Sequence, residues 1–470
     1  MTDVAENRPV SEDGELKRSI TGRLLFFYVL GDVLGSGIYV LIGLVAGAVG
    51  GAFWVAFAVG VTVATVTGLA YAELATKYPQ AAGAALYVNR AFGNKTLTFL
   101  VTVFMLAAVF AAAGSLASGF ASYFNTVWDL PPVLLVSLVF LVLLAIVNYL
   151  GITESVVANM VMTFVEVAGL LIIMVIGVWH VAEGGADFGT LTDFEASTDP
   201  VLAIIAGVAL AFFAMTGFEN AVNVAEETVD PARSFPRALV GGMIVAGLIY
   251  VLVSMTAALT VPIATLADSD AALLEVVEAG ILPISVTFMA TLFSCIAMVA
   301  ITNTTLVSVV TQSRILYGMA KEDVVPSMFA KVHASRRSPW VALIFSAVVV
   351  CSLLVVGKVL NEVGVDVDVV ARLATVTVVF ILFIYALVIV SAMKLRGSDE
   401  DDQTFTAPTW LLVTGLVANL VLLGYVVYDD PASLYWCGGL VAVGVVLFIV
   451  EYGLGKRDRG NTGDNTVTEA

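Results

Sequence analysis

Residues 31–43 read GDVLGSGIYVLIG and lie inside the first long apolar run of the chain. A membrane helix wants neither the glycines at 31, 35, 37 and 43 nor the carboxylate of Asp32. Each glycine weakens a helix interior by about 1 kcal/mol. Gly31 and Gly35 fit a close-packing GxxxG face. The GSG at 35–37 is denser than packing requires and reads as a place where the helix opens. In hydrocarbon every backbone N–H and C=O needs a partner, so an opened helix is tolerated only where it lines a cavity. The N–H groups that start the second half-helix then favour an anion such as a carboxylate. Unwound carbonyls favour a cation such as an ammonium or Na⁺. Asp32 lies one turn before the opening. It either pairs locally or serves the site, and intramembrane carboxylates are functional by default.

The rest of the chain supports a membrane setting. Its 470 residues are 60% hydrophobic and 13% charged, with a mean hydropathy of +1.00. A soluble domain carries about 25% charged residues. A helical span needs roughly 20 apolar residues. Apolar blocks between polar breaks predict twelve helices, over about 21–48, 51–76, 96–125, 131–150, 155–181, 200–225, 237–262, 283–312, 339–357, 370–393, 408–427 and 431–454. The third and eighth are long enough to tilt or protrude. With the N-terminus inside, nineteen of the twenty-one basic residues fall on the cytoplasmic face, and only Lys358 and Arg372 fall outside. Adding or dropping a middle helix scrambles that sorting, so the expectation is a multi-pass plasma-membrane protein with both termini cytoplasmic.

Residues 1–20 are polar, mixed in charge and without an apolar core, and read as a cytoplasmic tail rather than a signal peptide. Residues 456–470 read as a second tail. Cys295, Cys351 and Cys437 are far apart and form no CxxC, so neither a disulfide framework nor a zinc site is expected. The net charge of −17 suits high-salt surroundings, with a surface for cationic solutes as the sharper alternative. The acids are spread over tails and loops.

If the fold holds two repeats, a second broken helix belongs five spans after the first. The sixth span reads AFFAMTGFENAVNVAEE, residues 211–227, with Thr216 and Gly217 at mid-span and Glu219 just beyond. Small residues beside an acid thus recur at corresponding places in two five-helix units.

Four ordered stretches then resemble the amino acid–polyamine–organocation family of secondary transporters. They are GSGIY in the first span, YAELATKYPQAAGAALYVNRAFG at 71–93, FFAMTGFENAVNVAEETVDPARSFPRAL at 212–239 and SRILYGMAKEDVVP at 313–326. The resemblance implies an all-α membrane protein of 12 transmembrane helices in a LeuT-like 5+5 inverted repeat with helices 1 and 6 broken. Its parts are the first repeat at 21–182, the second at 183–396 and two added helices at 397–455. It implies a substrate, an amino acid or related amine, held between the two breaks. Around the Gly35 opening, Ser36, Gly37 and Ile38 would present N–H groups to a carboxylate. Carbonyls near Phe213, Ala214 and Thr216, next to Gly217, would take the amine. Phe213 stands where the family often places an aromatic lid, and ordinary core packing is the equal alternative.

No Walker A sequence, HExxH or nucleophile motif is present, so neither an ATP-driven pump nor an enzyme is expected. His180 and His333 fall at span ends or loops and read as solvated. No cofactor is expected beyond Na⁺ or H⁺ as coupling ion. Membrane lipid is the expected surrounding, without nucleic acid, and the oligomeric state stays open. Energy comes from an ion gradient or from exchange. Glu219, beside the sixth-span break, is costly to ionise in low dielectric unless a cation or donor compensates, which marks it as a proton carrier or a structural anchor. Glu166 lies mid-span in VMTFVEVAGLL, residues 161–171. Some proton-dependent family members carry a lysine at the matching place, so the charge here is reversed. A glutamate there could ligate Na⁺, titrate with H⁺ or contact a cationic substrate. Asn303 and Thr304, within ITNTT at 301–305, offer oxygens to complete a Na⁺ site or bonds between helices. Glu73, Glu226 and Glu227 are expected to pair with loop arginines such as Arg233. A membrane sensor that binds the same ligand without transport, and an ion channel, are the remaining alternatives.

Overall fold

The computed structural model describes residues 16–128, 132–195, 199–269, 271–363, 369–398 and 404–429, with isolated positions from 431 to 442. Among these, secondary structure is helical apart from one isolated bridge, Ile20 to Thr228. The α-helices are α1 Gly22–Val49, α2 Trp54–Lys77, α3 Gly83–Phe92, α4 Lys95–Trp128, α5 Val133–Leu150, α6 Ile152–Ala182 and α7 Pro200–Ala214. After a 3₁₀ segment at Phe218–Glu227 come α8 Pro231–Thr260, α9 Ile263–Asp268, α10 Ala272–Glu278, α11 Val286–Lys321, α12 Trp340–Glu362, α13 Val369–Lys394 and α14 Thr409–Asp429. Eight described helices are long and apolar enough to cross a membrane, or nine when bent α1 counts as one span. Pro200–Phe212 and Val378–Lys394 are shorter apolar helices. The twelfth expected span, 431–454, lies outside the described residues except for isolated positions.

Helices form here because apolar length leaves the backbone no other way to pair. The amphipathicity of a soluble helix is missing, since lipid and core are both apolar. The long helices α4 and α11, 34 and 36 residues, reach about 50 Å at 1.5 Å per residue.

α1 is the central helix and packs against α6, α7, α8 and α11. α2 packs against α7 and α8, while α4 packs against α11 and α13. α9 and α10 cover one end of α1, where a Cβ on Gly43 would lie 3.2 Å from both the Ser269 carbonyl and the Ala272 methyl.

At the opposite end, an amphipathic helix absent from the expected blocks, α3, follows a turn with left-handed backbone at Ala82 (φ 89°) and Gly83 (φ 48°). The turn nests on α11, where a Cβ on Gly318 would come within 2.6 Å of the Ala81 carbonyl carbon. The segment leading into α1 is stitched to the same end: the N–H groups of Ser19 and Ile20 both donate to the Glu227 carbonyl at 3.0 Å.

Candidate functional site

Both expected breaks are present. In α1 the backbone leaves helical geometry at Gly35 (φ −10°, ψ −154°). The axis turns by 63° between Gly22–Tyr39 and Leu41–Val49. A Cβ on Gly35 would collide with Thr304 Oγ1 of α11. In the sixth span, α7 ends at Ala214, a turn follows, and Gly217 takes φ +122°, which an L side chain rarely adopts. The Gly217 N–H donates to Glu219 Oε2 at 2.8 Å. A Cβ on Gly217 would sit 3.0 Å from the Asp32 carboxyl carbon, and one on Gly37 would sit 2.8 Å from Ala214 Cα. The two breaks therefore meet backbone to backbone, and glycines make that approach sterically feasible.

Between them lies a cavity of about 260 Å³, near the lower end of small-molecule sites, which run from about 300 to 1,000 Å³. Asp32, Gly37, Ala214, Thr216, Gly217 and Glu219 line it from the breaks. Ser115 of α4, Thr304 and Ser308 of α11 and Ile381 of α13 close the other side. Asp32 Oδ2 accepts from Asn220 Nδ2 at 2.8 Å. Among the described lining residues two carboxylates thus face the cavity and there is no lysine or arginine. Ile38 is buried in the core and does not line it. The side chains of Ser36 and Phe213 lie outside the described residues.

Two other residues expected to serve an ion stand apart from this cavity. Glu166 of α6 is fully buried, and neither carboxylate oxygen has a hydrogen-bond partner among the described residues, although the Asn303 amide stands beside it. Asn303 Oδ1 accepts from Asn159 Nδ2 at 2.8 Å, and Asn303 Nδ2 donates to Thr163 Oγ1 at 3.2 Å. Gly31 packs on this cluster, since a Cβ there would lie 2.7 Å from Asn303 Nδ2. Asn159, Thr163 and Glu166 lie three or four residues apart, on one face of α6. The expected ion residues therefore divide: Asp32, Glu219 and Thr304 reach the cavity, while Glu166 and Asn303 belong to a sealed polar cluster behind α1.

The model of the amino acid permease family matches residues 22–456. The chain belongs to that family. It lies within the amino acid–polyamine–organocation superfamily. This family member is 27% identical to the chloroplastic cationic amino acid transporter 9 of Arabidopsis thaliana over 326 residues, covering 65% of the chain but only 55% of that relative. It thus spans about half of that protein's length. It is 24% identical to the branched-chain amino acid permease BcaP of Bacillus subtilis, covering 71% of the chain and 74% of the relative. It is 22% identical to the serine/threonine exchanger SteT of the same species, covering 95% and 99%.

The expected acid pairings hold for Glu73, which meets the loop arginine Arg396, and need correction for Glu226 and Glu227. Arg233 sits on the exposed first turn of α8 and only approaches Asp230, at 3.9 Å. Glu227 pairs instead with Arg314 of α11, whose Nε and Nη2 both reach the carboxylate at 3.2 Å. Glu226 takes Lys321 at 2.9 Å, and Glu73 takes Arg396 at 2.8 Å. The 3₁₀ segment turns Glu226 and Glu227 inward to the end of α11, away from the α8 loop. Sequence reading also missed Asn220, the partner of Asp32, and Tyr250 of α8, whose hydroxyl meets carbonyls of both breaks. Asn220 was visible one residue after Glu219. Nothing near Tyr250 in the sequence marks it.

Proposed function

We propose that this family member is a secondary transporter of amino acids or related amines, working by alternating access in the plasma membrane with both termini cytoplasmic. Its spans form a twelve-helix LeuT-like fold of two inverted five-helix repeats. The single observation that carries the reading is the cavity enclosed where two broken helices touch backbone to backbone. Half-helix ends at a midplane cavity offer N–H groups to a carboxylate and carbonyls to an amine. The N–H groups after Gly35 take the carboxylate, and the freed carbonyls before Gly217 take the amine. Asp32 and Glu219 add negative potential on the amine side.

An H⁺ or Na⁺ gradient, or exchange, supplies the drive. Glu166 and Glu219 are the coupling acids of this reading. Glu219 touches the break through the Gly217 N–H, so its charge state is linked to the shape of the turn. Glu166 and Asn303 lie behind Gly31 on α1, so an ion there is linked to α1. One charge crossing 100 mV yields about 2.3 kcal/mol, enough to bias a two-state bundle.

The test is uptake into proteoliposomes at high salt, with pooled labelled amino acids and polyamines and with Na⁺ and H⁺ gradients imposed separately. The reading expects saturable uptake that a Gly37→Val substitution abolishes by separating the breaks. Saturable binding without flux overturns it in favour of a sensor.

A further inference from the structure

Tyr250 is fully buried on α8, its ring packed edge-on against Phe57 at 5.8 Å. Its hydroxyl meets three backbone carbonyls: those of Val33, of Leu34 at 3.2 Å and of Ala214 at 3.3 Å. The first two immediately precede Gly35, where α1 opens, and Ala214 is the last residue of α7. All three acceptors are therefore carbonyls at the end of a helical segment. Such carbonyls lack some of their intrahelical partners and carry the negative end of the helix dipole, about half a charge per helix. Converging carbonyls at broken helices are the chemistry of a monovalent cation site. Here one phenol occupies the point of convergence. It brings a single proton, no net charge, and nothing that an ion gradient can load.

We propose that the Tyr250 hydroxyl pins the two breaks together and fills the place where their carbonyls would otherwise bind a monovalent cation. The pin acts from behind the cavity, because Tyr250 is not among the lining residues. Two consequences follow for this family member. Tyr250 is a positioning residue that sets the separation of the half-helices flanking the ligand. The coupling ion is excluded from this point and must use the acids elsewhere, at Glu219 or in the Glu166–Asn303 cluster. The second consequence rests on the transport reading, but the test below needs no transported substrate, so the two can fail separately.

The experiment is thermal unfolding of the purified full chain in detergent, in choline chloride and in equimolar NaCl or LiCl. The variants are Tyr250→Phe, 4-aminophenylalanine at 250, and Phe57→Leu. In choline chloride, removing the hydroxyl that meets three buried carbonyls should lower the Tyr250→Phe midpoint by about 1–3 °C. Na⁺ or Li⁺ should restore at least half of that loss, and the rise should exceed the one the same salt produces in the parent. The 4-aminophenylalanine variant, which restores a proton donor, should match the parent in both salts. Phe57→Leu, which loosens the ring but keeps the hydroxyl, should show no added cation dependence. A Phe variant that survives purification only with Na⁺ or Li⁺ supports the proposal. A Phe variant that melts with the parent, a loss that neither cation relieves, or equal cation rescue in Phe57→Leu overturns it. If the Phe variant fails to fold in every salt, 4-aminophenylalanine decides: a parent-like midpoint supports the pin, and a failure to fold contradicts it.

Discussion

Glu227 and Glu166 are both sealed from solvent, each 0% exposed, yet they live in opposite surroundings. Glu227 is gripped by Arg314, also 0% exposed, through two bonds of 3.2 Å, and Arg314 spends another donor on Ser313 Oγ at 2.9 Å. Glu166 has no cation, and its oxygens have no hydrogen-bond partner among the described residues. Taking a charge out of water is expensive, and only a well-formed pair with further hydrogen bonds offsets it. The contrast separates two uses of one side chain. Glu227 is a clasp, tying the 3₁₀ segment after the second break to α11 and, through its carbonyl, to Ser19 and Ile20 just before α1. Glu166 has only the Asn303 amide beside it among the described residues and no cation, so an ion or proton there would change its energy strongly. Burial alone does not distinguish the roles, whereas the partner list does.

Removing the clasp should have the largest effect. Arg314→Ala leaves the Glu227 charge sealed and alone, which costs about 3–5 kcal/mol. The variant should fail to give a monodisperse detergent-solubilised peak on size exclusion, and a double change to Arg314→Met with Glu227→Leu should recover it. Loss of the double variant as well would mean that the pair does more than neutralise itself.

Gly217→Ala ranks second. It forces an L side chain into φ +122° and towards the Asp32 carboxyl, for about 1–3 kcal/mol. The same change at Gly184, also left-handed at φ +76° but with open space around it, carries the strain without the collision. Ligand binding should fall only in the Gly217 variant, and an equal fall in both would separate the second break from the site.

Glu166→Gln ranks third for stability and first for coupling. Replacing an unpaired buried acid with a neutral amide should leave the midpoint unchanged or raise it, by about 1 kcal/mol at most. A marked drop would make Glu166 a second clasp and erase the contrast. Lys321→Met should do least, about 0–1 kcal/mol, because the Lys321–Glu226 bridge is 43% exposed on the lysine side. Its loss should also shrink with added salt.

Much of this was legible before the structure. Apolar length located the helices because hydrocarbon allows few alternatives, dense glycine at GSG located the first break, and the five-span repeat with Thr216, Gly217 and Glu219 at mid-span located the second. Thr304 lies against Gly35, a contact that its sequence context does not specify. Three further things were not legible. The clasp joins residues 87 apart, and two helices must pack before Arg314 and Glu227 meet. Asn303 and Thr304 read in the sequence as neighbouring oxygens for one Na⁺ site, but adjacent helical residues point about 100° apart, and the two face different sites. Tyr250 has the sequence context of any core aromatic, and only the convergence of three carbonyls reveals it.

The most direct measurement compares accumulation with exchange in one preparation. Proteoliposomes containing the parent or Glu166→Gln are given labelled substrate under an imposed ion gradient, and separately are preloaded with the unlabelled compound. The account predicts that the parent accumulates substrate above the outside concentration, while Glu166→Gln loses accumulation and keeps exchange. Accumulation by Glu166→Gln equal to that of the parent would contradict it, and the unpaired acid would then be no part of the coupling.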